Sequence, residues 1–441
     1  MNRVVVLLMG LFFIAACKEK KAPADSRLLT DAGLLHANVD KLTEVIIYDV
    51  FSPPVSSRIY TYTSLAAYEA LRFLKPGYAS MAANMHGFPA LPEPDKAKPH
   101  NYLLAATKAF FTVAEKVTFS VDTLKSYQQK VYADFESLLD GETYANSLAF
   151  GEAIGKAILE RSAKDNYKQT RGMPKFLGSN EEGKWRPTPP DYLDAAEPHW
   201  QKIKTLVLDS ASQISCPPPP AYSTRKTSPF YKSVEEVHSI TTGLTEEQKK
   251  IAKYWDDNPF VIEHSGHMMF ANKKITPVGH WIGITAIACK QKNADAVQTA
   301  QAYALTSVAI FDVLISCWKS KYEYQHMRPI TLINDWIDPN WLPLLQTPPF
   351  PEHSSGHSGI SAAAATVLTT LFGSFPFEDT SDLPYIGMKR SFQSFQHAAQ
   401  EASISRVYGG IHYTTGVNAG AEQGARVGAY VISKLLPKKG A

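Results

Sequence analysis

The sequence predicts a mainly α-helical protein, and three observations support this fold class. Apolar residues recur at the three- and four-residue spacing of helices in many segments of the 441-residue chain. Proline-rich stretches separate these segments, as expected of helix breakers. No segment shows a sustained alternation of apolar and polar residues, which would indicate β-strands. We therefore predict an all-α helical bundle with long, irregular, proline-rich segments.

The amino terminus has the pattern of a bacterial lipoprotein signal. Asn2-Arg3 precedes an apolar stretch, Val4–Ala16, that is too short to span a bilayer. The next residue is a cysteine, and Ile14-Ala15-Ala16-Cys17 resembles a lipobox. The pattern predicts a signal peptide over residues 1–17, lipidation of Cys17 and a polar tether over residues 18–27. An ordinary signal peptide that ends near a chance cysteine is the alternative. The lipoprotein interpretation places the protein in the bacterial cell envelope, periplasmic or cell-surface, and attached to the membrane through the lipid alone.

Residues 28–240 form the predicted amino-terminal half. From Leu28 to Lys164 the apolar spacing predicts about five helices, separated by breakers such as Pro53-Pro54. Residues 172–234 are rich in proline and aromatic residues, which indicates an irregular segment that wraps over a helical core. A flexible linker between two domains is the alternative interpretation of this stretch.

Residues 241–441 form the predicted catalytic half, in which helical spacing returns. Pro329 is expected to end local helicity after the predicted helix Ala294–Lys319. No segment beyond the signal sequence looks long and apolar enough to cross a bilayer. The predicted helices are Thr245–Trp255, Trp281–Lys292, Ala294–Lys319, Gly359–Phe372 and Thr415–Leu436.

Composition excludes several classes of protein. The apolar share is 44% and the charged share 20%, which is an ordinary globular balance. A net charge of +3 is too small to suggest nucleic-acid binding. Beyond Cys17 only Cys216, Cys289 and Cys317 remain, without the spacing of a zinc site or a disulfide framework.

Three short motifs in the last third of the chain together predict a pocket for a tetrahedral oxyanion. Their cationic side chains can neutralise its oxygens, and a serine and a glycine amide at a helix start can donate hydrogen bonds to them. Two histidines remain for acid–base, nucleophilic or metal-binding chemistry. The motifs are Lys321 with Arg328-Pro329, Ser355-Gly356-His357, and Ser405-Arg406 with His412.

The order and spacing of these motifs resemble the signature of the vanadium-dependent haloperoxidase and type 2 phosphatidic acid phosphatase superfamily. Two positions depart from it, because Ser354 replaces a proline and Gly416 replaces an aspartate. The resemblance implies a helical bundle and, for a haloperoxidase, a vanadate cofactor whose vanadium is bound by His412. It assigns catalysis to His357, His412 and Lys321. The residues that it assigns to vanadate binding are Lys321, Arg328, Ser355, Gly356, Arg406 and His412.

The resemblance favours a haloperoxidase that oxidises iodide or bromide with hydrogen peroxide and acts on a small organic substrate. Trp318 and Phe350 stand where haloperoxidases carry aromatic side chains, and His353 is expected in the pocket wall. Ser354 and Gly416 are expected to loosen the site, so chloride should be oxidised least. The alternative is an acid phosphatase that forms a phosphohistidine on His412. A catalytically silent anion-binding lipoprotein is a third hypothesis.

Other polar groups have weaker predicted roles. Glu263 to His267 imitates the second motif and is expected at the pocket rim, since no helix follows it. His280 is interpreted as part of the site wall or as a core histidine. Asp256 or Asp257 is expected to pair with Arg406. For His326 no role is predicted.

Overall fold

The computed structural model describes residues 26–259, 262–265, 268–271 and 274–436, and helices dominate it. Four short strands form two antiparallel pairs, β1 (Ile262–Ser265) with β2 (Met268–Ala271) and β3 (Phe377–Asp379) with β4 (Arg390–Phe392). The helices are α1 (Gly33–Tyr48), α2 (Pro53–Leu71), α3 (Tyr102–Val117), α4 (Val121–Leu138), α5 (Gly141–Ser162), α6 (Tyr167–Arg171), α7 (Pro229–Thr242), α8 (Glu246–Tyr254), α9 (Pro277–Gln291), α10 (Ala296–Tyr324), α11 (Pro329–Trp336), α12 (Gly356–Phe372), α13 (Leu383–Ile386), α14 (Phe395–Tyr408) and α15 (Thr414–Leu435).

The all-α fold class and the five helices between Leu28 and Lys164 are confirmed, as are the five predicted helices of the carboxy-terminal half. Five helices, α6, α7, α11, α13 and α14, were not predicted. The expectation for Pro329 is wrong, because this proline is the first residue of α11. Proline is favoured at that position, since the first N–H groups of a helix have no intrahelical partner. The preceding helix α10 continues to Tyr324, so Lys321 lies in its last turn.

Both halves of the chain contribute to one hydrophobic core. Leu65 of α2, Phe111 of α3 and Phe311 of α10 belong to the same buried cluster as Leu368 of α12. The irregular segment packs on this core. Its Trp185 and Trp200 are fully buried. The amides of residues 206–208 donate to the buried carboxylate of Asp312 in α10 at 2.8–2.9 Å. These contacts support the interpretation of residues 172–234 as a segment that wraps over the helical core, rather than as a flexible linker between two domains.

Close packing between α12 and α15 fixes the start of α12. A Cβ atom on Gly420 would lie 2.4 Å from the Ser355 carbonyl oxygen, and one on Gly424 would lie 2.1 Å from that of Gly359. Only glycine permits this approach. The second motif is therefore held against the helix that follows the third motif.

One described helix, α10, is long and apolar enough to cross a membrane by length and composition. The expectation that no such segment follows the signal sequence is corrected on that criterion. However, 94% of its most apolar window is buried inside the protein. This is the pattern of a core helix as well. Residues 1–25, with the predicted signal peptide and Cys17, lie outside the described part of the chain.

Candidate active site

The three motifs converge on one buried site. Lys321 closes α10, Arg328 is the N-cap of α11 and Ser355 is the N-cap of α12. Arg406 lies in the last turn of α14, and His412 lies two residues before the start of α15. Several helix ends therefore meet here, where the partial positive charge of helix starts favours an anion. Lys321, Arg328 and Arg406 are completely inaccessible to solvent.

His412 is held as a neutral imidazole with a defined tautomer. Its Nδ1 lies 2.7 Å from the Glu352 carboxylate, which can only accept a hydrogen bond, and its Nε2 lies 3.0 Å from Arg328 Nη1, which can only donate. Nδ1 therefore carries the proton and Nε2 the lone pair. Burial, reinforced by the charge of Arg328, holds the pKa of His412 well below its usual range. A lone pair on Nε2 is what a metal ligand or a nucleophile requires.

Glu352 orients this histidine, although no role was predicted for it. Its second oxygen lies 2.9 Å from Nδ1 of His326, so one carboxylate joins two histidines. Burial would raise the pKa of Glu352, but hydrogen bonds from His326 and His412 outweigh it and hold that pKa well below its usual value. Carboxylate partners of this kind fix the tautomer and ring orientation of a ligand histidine.

The glycine at position 416 makes room for this carboxylate. A Cβ atom there would lie 2.1 Å from Glu352 Oε1. Glu352 therefore supplies the carboxylate that Gly416, in place of the aspartate of the motif, does not provide. Ser354 is also held in place, because its hydroxyl donates to Gln423 at 3.1 Å and the residue is fully buried. The predicted loosening of the site has no support in either contact.

The two arginines keep N–H groups free for a ligand. Arg406 Nη1 donates to the Trp255 carbonyl, while its Nε and Nη2 have no partner among the described residues. Arg328 uses Nε for the Phe350 carbonyl and Nη1 for Ile411, and its Nη2 is likewise unpartnered in the described part of the chain. Leaving buried N–H groups unpaired is costly. An oxyanion would satisfy these groups together.

Lys321 lies beside the rings of Trp318 and Phe350 and donates hydrogen bonds to backbone carbonyls. Its Nζ donates to the carbonyls of Pro351 and Glu352 at 2.9 and 3.0 Å, which leaves the third N–H of the ammonium available. Burial lowers its pKa to about 8. The Trp318 and Phe350 rings lie 5.7 and 4.9 Å from the ammonium. Such aromatic faces stabilise a cation.

His357, His412, Gly356 and Arg406 line a common cavity with Trp318 and Phe350. His357 is predominantly neutral because burial, with the nearby charge of Arg406, holds its pKa well below the usual range. Its Nε2 is unpartnered among the residues described. Ser355 caps α12 by accepting from the Ser358 amide at 3.3 Å. The structure thus unites the predicted site residues, apart from Cys17 and His353.

His353 lies elsewhere. Its Nε2 contacts the Pro217 carbonyl at 2.8 Å, and it lines a separate groove with Pro217–Pro220. Its predicted place in the wall of the anion pocket is corrected, because the ring turns toward the proline-rich segment. The predicted rim segment Glu263 to His267 begins in β1, but its side chains lie outside the described residues.

A second buried polar group adjoins the cavity through Asp257. His280 lies between carboxylates, with Nδ1 3.0 Å from Asp257 and Nε2 2.9 Å from Asp379. Asp256 instead pairs with Lys274. The predicted pairing of Arg406 with Asp256 or Asp257 appears only as proximity, since the hydrogen bond that Arg406 donates goes to Trp255.

Comparison with known proteins agrees with this geometry. A family profile described as the VCPO second helical-bundle domain matches residues 301–437, which contain the three motifs. The structure described as the first bacterial vanadium-dependent iodoperoxidase is 44% identical, with a TM-score of 0.88, over 95% of this chain and 100% of that one. The chain belongs to the vanadium-dependent haloperoxidase family.

More distant haloperoxidases share the fold. The holo-type bacterial vanadium-dependent chloroperoxidase is 17% identical, with a TM-score of 0.68, over 88% of this chain and 93% of that one. The apo-type structure of a bacterial vanadium-dependent chloroperoxidase is also 17% identical, with a TM-score of 0.67, over 87% of this chain and 94% of that one. No curated protein matches the chain.

The residues present fit the cofactor of the haloperoxidase family. Vanadate is a tetrahedral oxyanion, and the site offers unpartnered, buried N–H groups on Arg328 and Arg406 beside a neutral imidazole nitrogen. The Asp257 and His280 group does not fit it, because carboxylates repel an anion. The cofactor of the family therefore fits the His412 pocket and not the Asp257 and His280 group.

Proposed function

We propose that this protein oxidises iodide, and more slowly bromide, with hydrogen peroxide, using vanadate held at His412. The observation that carries the proposal is the neutral His412, whose Nε2 lone pair lies among three buried cations. The 44% identity to a bacterial iodoperoxidase over nearly the whole chain supports the choice of halide. When bound, vanadate supplies the Lewis acidity that activates hydrogen peroxide.

The residues of the pocket would bind the vanadate and keep His412 in the orientation that binding requires. His412 Nε2 would ligate the vanadium, and Arg406, Arg328 and Lys321 would neutralise the oxygens. Ser355 and the Gly356 amide would donate to them at the start of α12. Glu352 keeps Nδ1 of His412 protonated and hence the ring correctly oriented. Arg328 contacts Nε2 at 3.0 Å, so its guanidinium must shift from that nitrogen to an anion oxygen on binding.

His357 Nε2 is the group assigned to proton transfer. Oxidation of a halide by hydrogen peroxide consumes one proton and yields hypohalous acid and water, so a site that works near neutral pH benefits from an acid–base group. His357 lines the cavity, is predominantly neutral and has an unpartnered Nε2. It can therefore accept a proton from hydrogen peroxide and return one to the departing oxygen.

The cavity wall suits a large, weakly hydrated halide. Trp318 and Phe350 pack at 5.1 Å between ring centroids and line the cavity with Leu314 and Ile360. Iodide gives up electrons most readily and needs the least activation of hydrogen peroxide. We therefore place iodide first, bromide second and chloride last, on redox chemistry and the aromatic wall rather than on any looseness of the site.

A parallel assay tests the proposal. Purified protein, with and without orthovanadate, is given hydrogen peroxide with iodide, bromide or chloride, and separately a generic phosphomonoester. We expect vanadate-dependent oxidation in the stated order. Chloride turnover equal to that of iodide would refute the order. Phosphate release without any halide oxidation would transfer the function to the acid phosphatase alternative, in which His412 is the nucleophile.

We also propose attachment to the cell envelope through a lipid on Cys17, which the lipobox-like Ile14-Ala15-Ala16-Cys17 supports. Membrane fractionation of cells that express Cys17→Ser tests it, with Cys216→Ser as the matched control. We expect only the first variant to leave the membrane fraction. Retention of both variants in that fraction would contradict lipid anchoring.

A further inference from the structure

A buried cluster of three carboxylates and one histidine lies beside the anion pocket. His280 of α9 is fully inaccessible to solvent, and the carboxylates of Asp257, Asp379 and Asp382 surround its ring. Each of these carboxylates is at most 2% exposed. Buried carboxylates require compensating positive charge or hydrogen-bond donors. Lys274 is paired with Asp256, and the charge of Arg406 acts on Asp257 from the side of the oxyanion pocket.

Two of the three carboxylates, Asp257 and Asp379, have a partner for both oxygens, and both oxygens of Asp257 lie 3.0–3.2 Å from His280 Nδ1. Asp379 accepts from His280 Nε2 at 2.9 Å through one oxygen, and from the amide and hydroxyl of Ser381 through the other. Both oxygens of Asp382, by contrast, have no hydrogen-bond partner among the described residues. Asp382 lies 3.4 Å from His280 Nδ1, beyond hydrogen-bond geometry.

The hydrogen bonds of His280 determine what reaches Asp382. Burial would lower the pKa of His280, but the carboxylates of Asp257, Asp382 and Asp379 outweigh it and hold that pKa well above its usual value. The ring then donates from Nε2 to Asp379 and from Nδ1 to Asp257, and Asp382 receives neither proton. A metal ion would displace the Nδ1 proton and use the lone pair of that nitrogen beside the oxygens of Asp257 and Asp382. A cation between the three groups would serve all of them.

The spacing is that of a metal-binding site. Ligand atoms of Asp257, His280 and Asp382 lie within 4.8 Å of one another. His280 Nδ1 is 3.0 Å from Asp257 and 3.4 Å from Asp382. Nitrogen and oxygen ligands about 2.0–2.1 Å from a tetrahedral metal ion lie roughly 3.3 Å apart. A histidine whose other nitrogen donates to a carboxylate is the usual arrangement behind such a ligand.

We propose that Asp257, His280 and Asp382 bind a divalent metal ion of the zinc type, with Asp379 orienting His280 from behind. An imidazole ligand disfavours calcium and magnesium, which prefer sites built from oxygen. Asp257 also lines the cavity that contains Arg406 and His357. The metal ion would therefore hold one wall of the oxyanion pocket without taking part in vanadate binding.

Zinc binding to the full chain tests the site. The protein is treated with a chelator, titrated with Zn²⁺ by calorimetry, and analysed for bound metal by mass spectrometry. We expect one zinc ion per chain. Asp382→Asn, which keeps the side chain's shape, should raise the dissociation constant at least about 100-fold, and Asp379→Asn should raise it about 10- to 100-fold.

Two controls separate this site from others. Asp209→Asn alters an exposed pair with His86 at 3.4 Å and should leave zinc affinity unchanged. His412→Ala should also retain the zinc ion, because the proposed site lies apart from the oxyanion pocket. Zinc affinity should likewise be the same with and without vanadate, so the result is independent of the proposed halide oxidation.

A spectroscopic measurement on the wild-type protein covers the case in which a variant does not fold. Bound Co²⁺ should give the visible absorption of a low-coordinate site with nitrogen and oxygen ligands, and Zn²⁺ should displace it. Absence of bound zinc in the wild type would overturn the proposal and leave the cluster neutralised by protons. Equal zinc affinity in a folded Asp382→Asn variant would also overturn it.

Discussion

Two neighbouring buried groups in this protein leave polar atoms of opposite kinds, donors in one and acceptors in the other, without a partner among the described residues. The oxyanion pocket holds arginines whose N–H groups have no acceptor among the described residues, and the adjacent cluster holds Asp382, whose oxygens have no donor there. Both contain a histidine fixed by a carboxylate, Glu352 for His412 and Asp379 for His280. In both cases a carboxylate holds one ring nitrogen, and the other nitrogen faces cations in the first group and carboxylates in the second. The charge of the surroundings decides which kind of ligand each can take.

The strongest test of this contrast is His412→Ala. We expect turnover to fall at least about 100-fold, or about 2.7 kcal/mol of activation free energy, because the nitrogen ligand is removed. Zinc binding at the second cluster should persist. The measurement is iodide oxidation at saturating vanadate. Retention of more than about a tenth of the wild-type rate would show that His412 does not have the assigned role.

Substitution of Glu352 tests whether its carboxylate is needed to orient His412 for vanadate binding. Glu352→Gln should weaken vanadate binding about 10- to 100-fold, because the amide no longer holds both His412 and His326 as a charged acceptor. Equilibrium titration with vanadate measures the effect. Glu422→Gln, on an exposed side chain of α15, is the matched control and should not change the affinity.

The neighbouring glycine provides a rescue experiment. Gly416→Asp alone should destabilise the site, because its Cβ would meet Glu352 Oε1 at 2.1 Å. In the Glu352→Ala background the same substitution fills the vacated space and supplies a carboxylate. Vanadate affinity in the double variant should recover above that of Glu352→Ala. If both backgrounds respond equally to Gly416→Asp, the two positions do not share this space.

Arg406→Lys retains the charge and removes the planar fork. We expect vanadate affinity to fall about 10-fold, since an ammonium cannot replace two N–H groups of a guanidinium. Arg426→Lys, at an exposed position, serves as the control. An unchanged vanadate dissociation constant for Arg406→Lys would remove this arginine from direct contact with the ligand.

The smallest expected effect is a pH dependence. Burial lowers the pKa of Lys321 to about 8, so its charge is present below that pH and is lost as the pH rises through it. Vanadate affinity should therefore decrease above about pH 8, by a few-fold more in the wild type than in Lys321→Arg, whose guanidinium remains charged. Comparing the two proteins removes the titration of vanadate itself. Parallel pH profiles would exclude Lys321 as the cause.

Sequence alone predicted the helical fold and most of the oxyanion site. The spacing of apolar residues located ten of the helices, because a buried helix face repeats along the chain. It missed five others, among them α11 and α14. Pro329 was interpreted as a breaker although proline is favoured at a helix start, and α14 contains few residues at amphipathic spacing. Motif spacing identified Lys321, Arg328, Arg406 and both histidines, since the family motif consists of the residues proposed to contact the ligand.

The supporting contacts depended on tertiary structure. Glu352 lies sixty residues before His412, and no local pattern joins them. The one sequence signal for an orienting carboxylate was Gly416, because it stands where the family motif has an aspartate and leaves space for another side chain. Asp257, His280, Asp379 and Asp382 come from separate segments and meet only after folding. The sequence by itself therefore determined which residues can bind an oxyanion. The tertiary structure decided which carboxylate orients each histidine, because that choice depends on distances of a few ångströms between segments far apart in the chain.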